Sequence, residues 1–426
     1  MRFKLKILYY LLKIKFEKLI GLTSNKFYLK RRKKRFLKNL KKSNFYNQFS
    51  LEFDDFSSLP IMNKSIFMKN FNGINTCGIS YEVASDVANK AEESRDFSPM
   101  INNISVGLST GTSGNRGMFL VNESERAYWV ALMIDRVIGF SFKNTSIAFF
   151  LRANNKLYES TSSKKIDFNF FDIYLDFNTH IERLNNLQPN ILIAQPSVLM
   201  LLSKKQETGS LQIKPNKIIS VAEVLTPEDK TYFENVFKVR VDQVYQCTEG
   251  FLASTCSEGV LHFNEDFLII EKKYIDNKKT KFHPIITDLL RKTQPIVRYE
   301  LNDIVVEKSN CKCGSPFMAI ESIEGRSDDI ITFLDEQMKE VSIFPDVIRR
   351  TIVLSDDRIS DYVFVQSSSK QINLYIGSDF EDSYSIAETA LSKKLNEYHI
   401  QDFKINRIKN SPHKLGDKKR RVINDK

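Results

Sequence analysis

The 426-residue chain has no run of 18 or more apolar residues, so no transmembrane helix is expected. Cysteine is scarce. Five cysteines in a chain this long do not make the dense disulfide framework of a small secreted domain. A convincing signal peptide is missing too: Lys13, Lys15 and Lys18 interrupt the first apolar stretch, and no small-residue cleavage site follows. These absences point to a cytoplasmic protein. Internal repeats are lacking. Acidic residues are nearly absent from the start of the chain. Residues 1–42 hold sixteen Lys or Arg and one acid, Glu17, a net of +15. The whole chain carries +11, so the other 384 residues carry −4. Basic character this local argues against a nucleic-acid footprint spread over the fold.

What is present is a globular composition. Hydrophobic residues make up 42% and charged residues 27%, enough for a large core and two or three domains. Leu5, Leu8, Leu12, Phe16 and Leu19 recur at helical spacing within residues 3–20, with lysines beside them. Two readings stand. One is an N-terminal helix packed on the body with solvated lysines. The other is a basic amphipathic helix peripheral to an acidic inner membrane surface through residues 1–42. Farther on, apolar runs at 146–151, 190–194 and 217–222 read as buried strands, separated by helical patterns at 178–187 and 196–206. Strands alternating with helices indicate α/β units around a mostly parallel sheet. Residues 258–307 are richer in strand patterns. Beyond a charged turn at 324–329 come strand patterns at 362–366 and 372–376 and a helix at 384–397. The expected fold class is therefore α/β. A basic helical segment (1–58) precedes a large domain (59–327) with parallel sheets flanked by helices and a β-rich subdomain. A small mobile α+β domain (328–426) follows on a hinge.

Five short elements carry chemistry. Residues 108–117, Leu-Ser-Thr-Gly-Thr-Ser-Gly-Asn-Arg-Gly, pack three glycines and four hydroxyls into ten positions. Such a loop can turn its N–H groups inward as an anion nest, with hydroxyls as further donors. It is not a Walker-type loop, because no Gly-Lys-Ser/Thr follows. Tyr245-Gln246-Cys247-Thr248-Glu249 places a hydroxyl beside a carboxylate, a pair suited to a phosphate oxygen and a magnesium ion. Thr287-Asp288, followed by Arg298-Tyr299 and Asp303, offers a carboxylate at a turn. Gly325-Arg326-Ser327-Asp328-Asp329 marks the domain joint, and Gly416-Asp417-Lys418-Lys419 lies near the C-terminus. Each alone is as readily an ordinary turn, loop or solvated tail.

In order and spacing, the five resemble the acyl-adenylate-forming (AMP-binding) superfamily, and most closely its phenylacetate–CoA ligase-like branch. The resemblance runs from about Leu59 to Arg421. It implies an ATP-dependent ligase that activates a small carboxylic acid as an acyl-AMP with release of pyrophosphate. Coenzyme A, an amine, a hydroxyl or a carrier protein would then accept the acyl group. It assigns the phosphates to Ser109, Thr110, Gly111, Thr112, Ser113 and Gly114, the adenine turn to Ala222 and Glu223, and cofactor contact to Tyr245. Thr248 would contact phosphate, Glu249 bind Mg2+, Asp303 hold the ribose and Arg326 serve the nucleotide. Asp328 would be the hinge. There are departures. The family loop ends Pro-Lys where Arg116 and Gly117 stand, so Arg116 is a candidate for the lost charge. Gln246 and Asn302 replace glycines. The catalytic lysine is Lys418 or Lys419, because Asp417 intervenes after Gly416. The rival without catalysis is a degenerate ligase fold binding a membrane or polyanion through residues 1–42.

Four residues stand apart. Cys256 and His262, with Cys311 and Cys313 about 50 residues later, supply the three thiolates and one imidazole of a structural Zn2+ site. Cys247 is a competing fourth ligand, and buried free cysteines are the ordinary alternative. The family resemblance implies a metal in this region.

Overall fold

The basic start of the chain folds into two helices, α1 (Arg2–Leu19) and α2 (Lys26–Leu40). Asn25 starts the second, its side-chain oxygen accepting from the N–H groups of Phe27 and Tyr28. Short helices α3 (Lys64–Lys69) and α4 (Phe71–Ile74) and the longer α5 (Tyr81–Ser94) follow. Next come strands β1 (Met100–Ile101), β2 (Ile104–Leu108) and β3 (Met118–Val121). These three strands pair antiparallel, and Ile104, Met118 and Leu120 pack with Phe71, Ile79 and Ala84. Helix α6 (Glu123–Met133) starts in a capping box: Asn122 and Glu125 each bond the other's backbone N–H.

The computed structural model describes all residues except 1, 50–55, 95, 97, 110–115, 140–142, 152–164, 174, 176, 327–328, 357, 414–419 and 426. The chain divides into two compact units. One comprises Met1–Leu301 and Val306–Ser322, the other Asn302–Val305 and Ile323–Lys426.

The first unit is organised by strands β4 (Thr145–Leu151), β5 (Ile166–Asp172), β6 (Ile191–Ala194), β7 (Lys217–Ser220) and β8 (Val241–Cys247). They run parallel in the order β5-β4-β6-β7-β8. Every residue of β6 is buried, as expected of a strand covered on both faces. Helices α7 (Phe177–Leu187), α8 (Pro196–Glu207) and α9 (Pro227–Phe237) close one core against it through Leu184, Leu199, Leu202 and Phe233. Proline opens α8 and α9 at their first position, where a helix has no N–H to lose.

The same sheet becomes antiparallel at β9 (Gly250–Thr255) and β10 (Leu261–Phe263). Strands β11 (Leu268–Tyr274), β12 (Lys281–Asp288), β13 (Ile296–Glu300), β14 (Asp303–Lys308) and β15 (Ala319–Arg326) complete the 12 strands. Thus the expected parallel sheet and β-rich section form one mixed sheet.

The second unit has a hairpin, β16 (Ile331–Leu334) with β17 (Glu340–Ile343), and helices α10 (Pro345–Val353) and α11 (Asp382–Glu397). Strands β18 (Asp361–Ser368), β19 (Gln371–Gly377), β20 (Lys404–Arg407) and β21 (Val422–Asn424) form a sheet in the order β20-β19-β18-β21. Phe333, Ile348, Phe364, Leu374 and Leu391 centre its core. This is the α+β pattern read from the sequence.

Helix α1 is packed on the body, but not by the face its spacing singles out. Leu11 and Ile14 are buried, whereas Leu5, Leu8, Leu12 and Phe16 are 50–61% exposed and Leu19 is 84% exposed. Lys6 pairs with Glu123 at 2.7 Å and Tyr10 bonds Ser124 at 2.5 Å, tying α1 to the start of α6. Lys15 and Lys18 both reach the buried Asp135. No helix among the described residues is long and apolar enough to cross a membrane.

Candidate active site and metal centre

The glycine-rich segment lies at the tip of the β2–β3 hairpin. Its interior, Thr110, Gly111, Thr112, Ser113 and Gly114 with Asn115, lies outside the described residues; its mouth does not. The Ser109 N–H donates to the Gly117 carbonyl at 2.7 Å. The Gly117 N–H donates to the Ser109 hydroxyl, also at 2.7 Å. Arg116 Nε donates to the Ser109 carbonyl at 2.9 Å, and its two terminal nitrogens grip Glu92 of α5 at 2.7 and 2.5 Å. Thus Arg116 braces the mouth and shares its charge with a carboxylate. Lys64 brings a second cation close: its Cε is 3.6 Å from where a Cβ on Gly117 would stand.

The Thr248-Glu249 turn joins β8 to β9, just past the C-terminal edge of the parallel strands, where open α/β sheets bind ligands. Thr248 and Glu249 line one cleft with Gly117 and Met118, and Phe67 and Tyr299 form apolar wall. The loop mouth and the Thr-Glu pair, about 130 residues apart in sequence, therefore face one space. The Thr248 carbonyl accepts from the buried Arg291 at 3.3 Å. Asp288, also buried, lies behind: its Oδ2 would be 3.1 Å from a Cβ on Gly250, so this glycine keeps the Thr-Glu turn close to the carboxyl. Burial pushes Asp288 up to about 6, although Arg291 opposes the rise.

Ala222 and Glu223 follow β7 at the same sheet edge. Ala222 has φ of +65°, a left-handed conformation that costs a residue with a Cβ about 1 kcal/mol. Glu223 accepts from the Ser197 N–H at 3.1 Å and hydroxyl at 2.9 Å, capping α8. Tyr245 is buried, its ring 6.3 Å from that of Phe263. Gln246 accepts from the indole N–H of Trp129, the chain's one tryptophan, at 3.3 Å. A glycine there could not make this bond.

Arg298 is a brace. It bonds Glu271 and the carbonyls of Ser57 and Leu59, and its own carbonyl accepts from Met62. Asp303 begins β14 and Arg326 ends β15; Asp303 belongs to the second unit, as does Arg326. Asp328, Lys418 and Lys419 lie outside the described residues. Sequence reading missed Glu92, Arg291, and a Glu125–Thr293–Gln294 bolt. Glu125 accepts from the Thr293 N–H and hydroxyl at 2.8 and 2.6 Å. Gln294 accepts from Leu120 and donates to Met118, fixing β3 beside the cleft. The Asn122-x-x-Glu125 capping pattern was a readable signal for part of this; Glu92 had none.

The metal-type residues converge elsewhere in the first unit. The ligand atoms of Cys256, His262, Cys311 and Cys313 all lie within 4.8 Å of one another. Cys256 and Cys311 sulfurs are 3.7 Å apart, and Cys313 Sγ is 3.4 Å from His262 Nε2. A tetrahedral zinc with Zn–S bonds of about 2.3 Å sets its sulfurs roughly 3.8 Å apart, so the donor set fits that ion. His262 Nδ1 lies 2.8 Å from the Phe317 carbonyl; donating there leaves Nε2 aimed at the thiols. The Cys313 N–H, with His262, holds the Cys311 thiol down to about 7. Cys247 is not in the cluster.

No family model matches the chain. Solved structures of 2-hydroxyisobutyryl-CoA ligase with its acyl-AMP align over 93% of this chain and 89% of theirs, at TM-score 0.69 and 15% identity. An anthranilate CoA ligase holding anthranoyl-AMP aligns over 74% of this chain and 65% of its own, at TM-score 0.55 and 12% identity. An amide bond synthetase of Marinactinospora thermotolerans aligns over 74% and 68%, at TM-score 0.52 and 9% identity. The chain therefore has the fold of the acyl-adenylate-forming ligases. In sequence, it is 28% identical over 139 residues to the indoleacetate–lysine synthetase of Pseudomonas savastanoi, covering 31% of this chain. The match spans about a third of that relative's length (33%).

Proposed function

We propose that the chain is an ATP-dependent ligase that converts a small carboxylic acid into an acyl-AMP. The observation that supports this most is the cleft in which the braced mouth of the glycine-rich loop meets Thr248 and Glu249. A carboxylate oxygen of the acid attacks the α-phosphorus of ATP. The bond from that phosphorus to the bridging oxygen breaks, and pyrophosphate leaves. Negative charge spreads over phosphate oxygens, so the protein's task is placement and electrostatic stabilisation. The loop N–H groups and Thr248 donate to phosphate oxygens, and Asp303 accepts from the ribose hydroxyls. Lys418 or Lys419 stabilises the departing charge. Glu249, with the Thr248 hydroxyl, offers the hard oxygen donors Mg2+ prefers; the ion when bound neutralises the pyrophosphate.

The second half-reaction passes the acyl group from AMP to coenzyme A or to an amine. The structural neighbours named as CoA ligases favour the thiol; the curated relative named for joining indoleacetate to lysine favours the amine. The Cys256–His262–Cys311–Cys313 cluster is assigned to a structural zinc, distant from this chemistry in role.

The test is acid-dependent ATP–pyrophosphate exchange across aryl, fatty and amino acids, followed by product detection with coenzyme A or lysine. Exchange is expected with at least one acid, to fall about 100-fold or more in Glu249→Gln, and by a similar factor in Lys418→Ala or Lys419→Ala. No exchange with any acid, in folded protein, would overturn the reading.

A further inference from the structure

A helix on the surface of a globular protein carries one apolar stripe, turned inward. Helix α1 carries two. At 3.6 residues per turn, Phe3, Ile7, Tyr10, Leu11 and Ile14 fall on the side that meets α6. Leu5, Leu8, Tyr9, Leu12, Phe16 and Leu19 fall on the opposite side, within about a third of the circumference. All six are at least half exposed. Ile20 extends the stripe at 48% exposure, and Phe27, at the start of α2, is 77% exposed. Lysines mark both borders: Lys4 and Lys15 on one side, Lys6 and Lys13 on the other; Lys18 falls among the inward residues and reaches Asp135. Helix α2 then adds exposed Lys26, Lys30, Arg31, Lys34, Arg35 and Lys38.

We infer that the outward face of α1, with the cations of α2, docks this protein on an anionic lipid bilayer. The apolar stripe is the part that enters the acyl boundary. Lys6, Lys13 and Lys15 are paired with Glu123, Glu17 and Asp135, so the charge offered to headgroups comes from Lys4 and the exposed cations of α2, and Lys4 has the length to lay its methylenes along the stripe. The charge decides the occupant. A second copy would bring two segments of net +15 face to face across the stripe. A nucleic acid would satisfy the cations but leave the Leu and Phe side chains in water. A bilayer with anionic headgroups satisfies both. The helix lies on the membrane and does not span it. This inference does not rest on the adenylation reading.

The experiment is sedimentation of the full-length protein with vesicles of phosphatidylcholine alone, or with one third phosphatidylglycerol. Binding is expected only to the anionic vesicles. Leu8→Glu/Leu12→Glu/Phe16→Glu and, separately, Lys4→Gln/Arg31→Gln/Lys38→Gln should each weaken it at least about tenfold, with unchanged urea midpoints. Phe16→Trp gives a readout that leaves the face apolar: its emission should shift blue on anionic vesicles, against Trp129 as a fixed background. Equal vesicle binding by the apolar triple variant, or no blue shift for Phe16→Trp, overturns the inference. So does binding to heparin or duplex DNA without vesicle binding, which makes the segment a polyanion site. A dimer broken by the apolar triple variant, again without vesicle binding, would assign the face to a second copy.

Discussion

Ser109 and Gly117 hold each other by two hydrogen bonds of 2.7 Å, each donating its backbone N–H to the other residue. The bonds close the eight-residue separation that contains the glycine-rich tip. Ser109→Ala deletes one acceptor and leaves the other bond. One such bond is worth about 1 kcal/mol, so the melting point should move by only a few degrees. KM for ATP should rise several-fold more than kcat falls, because a looser mouth orders the loop only when nucleotide arrives. Steady-state kinetics over ATP concentration check this; an unchanged KM would make the lock structural only.

Lys64→Ala addresses the missing loop lysine. Its Cε lies 3.6 Å from where a Cβ on Gly117 would stand, at the mouth of the proposed phosphate site. Weaker ATP binding is expected, by about tenfold, with the urea midpoint held. Isothermal titration with ATP and Mg2+ separates the two quantities.

Asp288 gives the chain a pH signature. Its folded value of about 6 lies above the ordinary 3.8, so the folded state holds the proton more tightly than the unfolded state. The stabilisation is complete below about pH 4 and is lost as pH rises through about 6, amounting to at most about 3 kcal/mol. Asp288→Asn should remove that slope. Urea midpoints between pH 4.5 and 7.5 for both proteins decide it: equal slopes would place the titration elsewhere.

The thiol cluster predicts one zinc per chain by elemental analysis. Cys311→Ser and Cys313→Ser should lower that content to near zero and destabilise the protein by several kcal/mol, since site formation is coupled to folding. Chelator should lower the wild-type melting point and leave the variants unmoved.

Glu17 accepts from Arg32 at 2.7 Å and from Tyr28, joining α1 to α2. Glu17→Gln removes the carboxylate bonded to a buried guanidinium, a loss of about 3 kcal/mol. Limited proteolysis should then cut first within residues 20–26.

Much of this was legible in sequence, for stated reasons. Ile191–Ala194 and Lys217–Ser220 announce themselves as buried strands because a parallel strand is apolar on both faces. The convergence of Cys256, His262, Cys311 and Cys313 was readable because cysteine and histidine are scarce in this chain and these four are spaced as a possible ligand set. The Glu92–Arg116 grip was not, since nothing local couples residues 24 apart across a helix and a hairpin. Nor was the strain at Ala222, where a residue with a Cβ sits at a φ glycine would favour. Helix α1 shows a third kind of limit. Spacing says which residues share a face; it does not say which of two apolar faces meets the core.

The ties between α1 and α6 also set an order of assembly. Lys6 meets Glu123, 117 residues farther along the chain. During synthesis α1 is made before its docking partner, which follows only after more than a hundred residues. In that interval both stripes of the helix are bare beside sixteen cations, whose like charge opposes contact between two such segments.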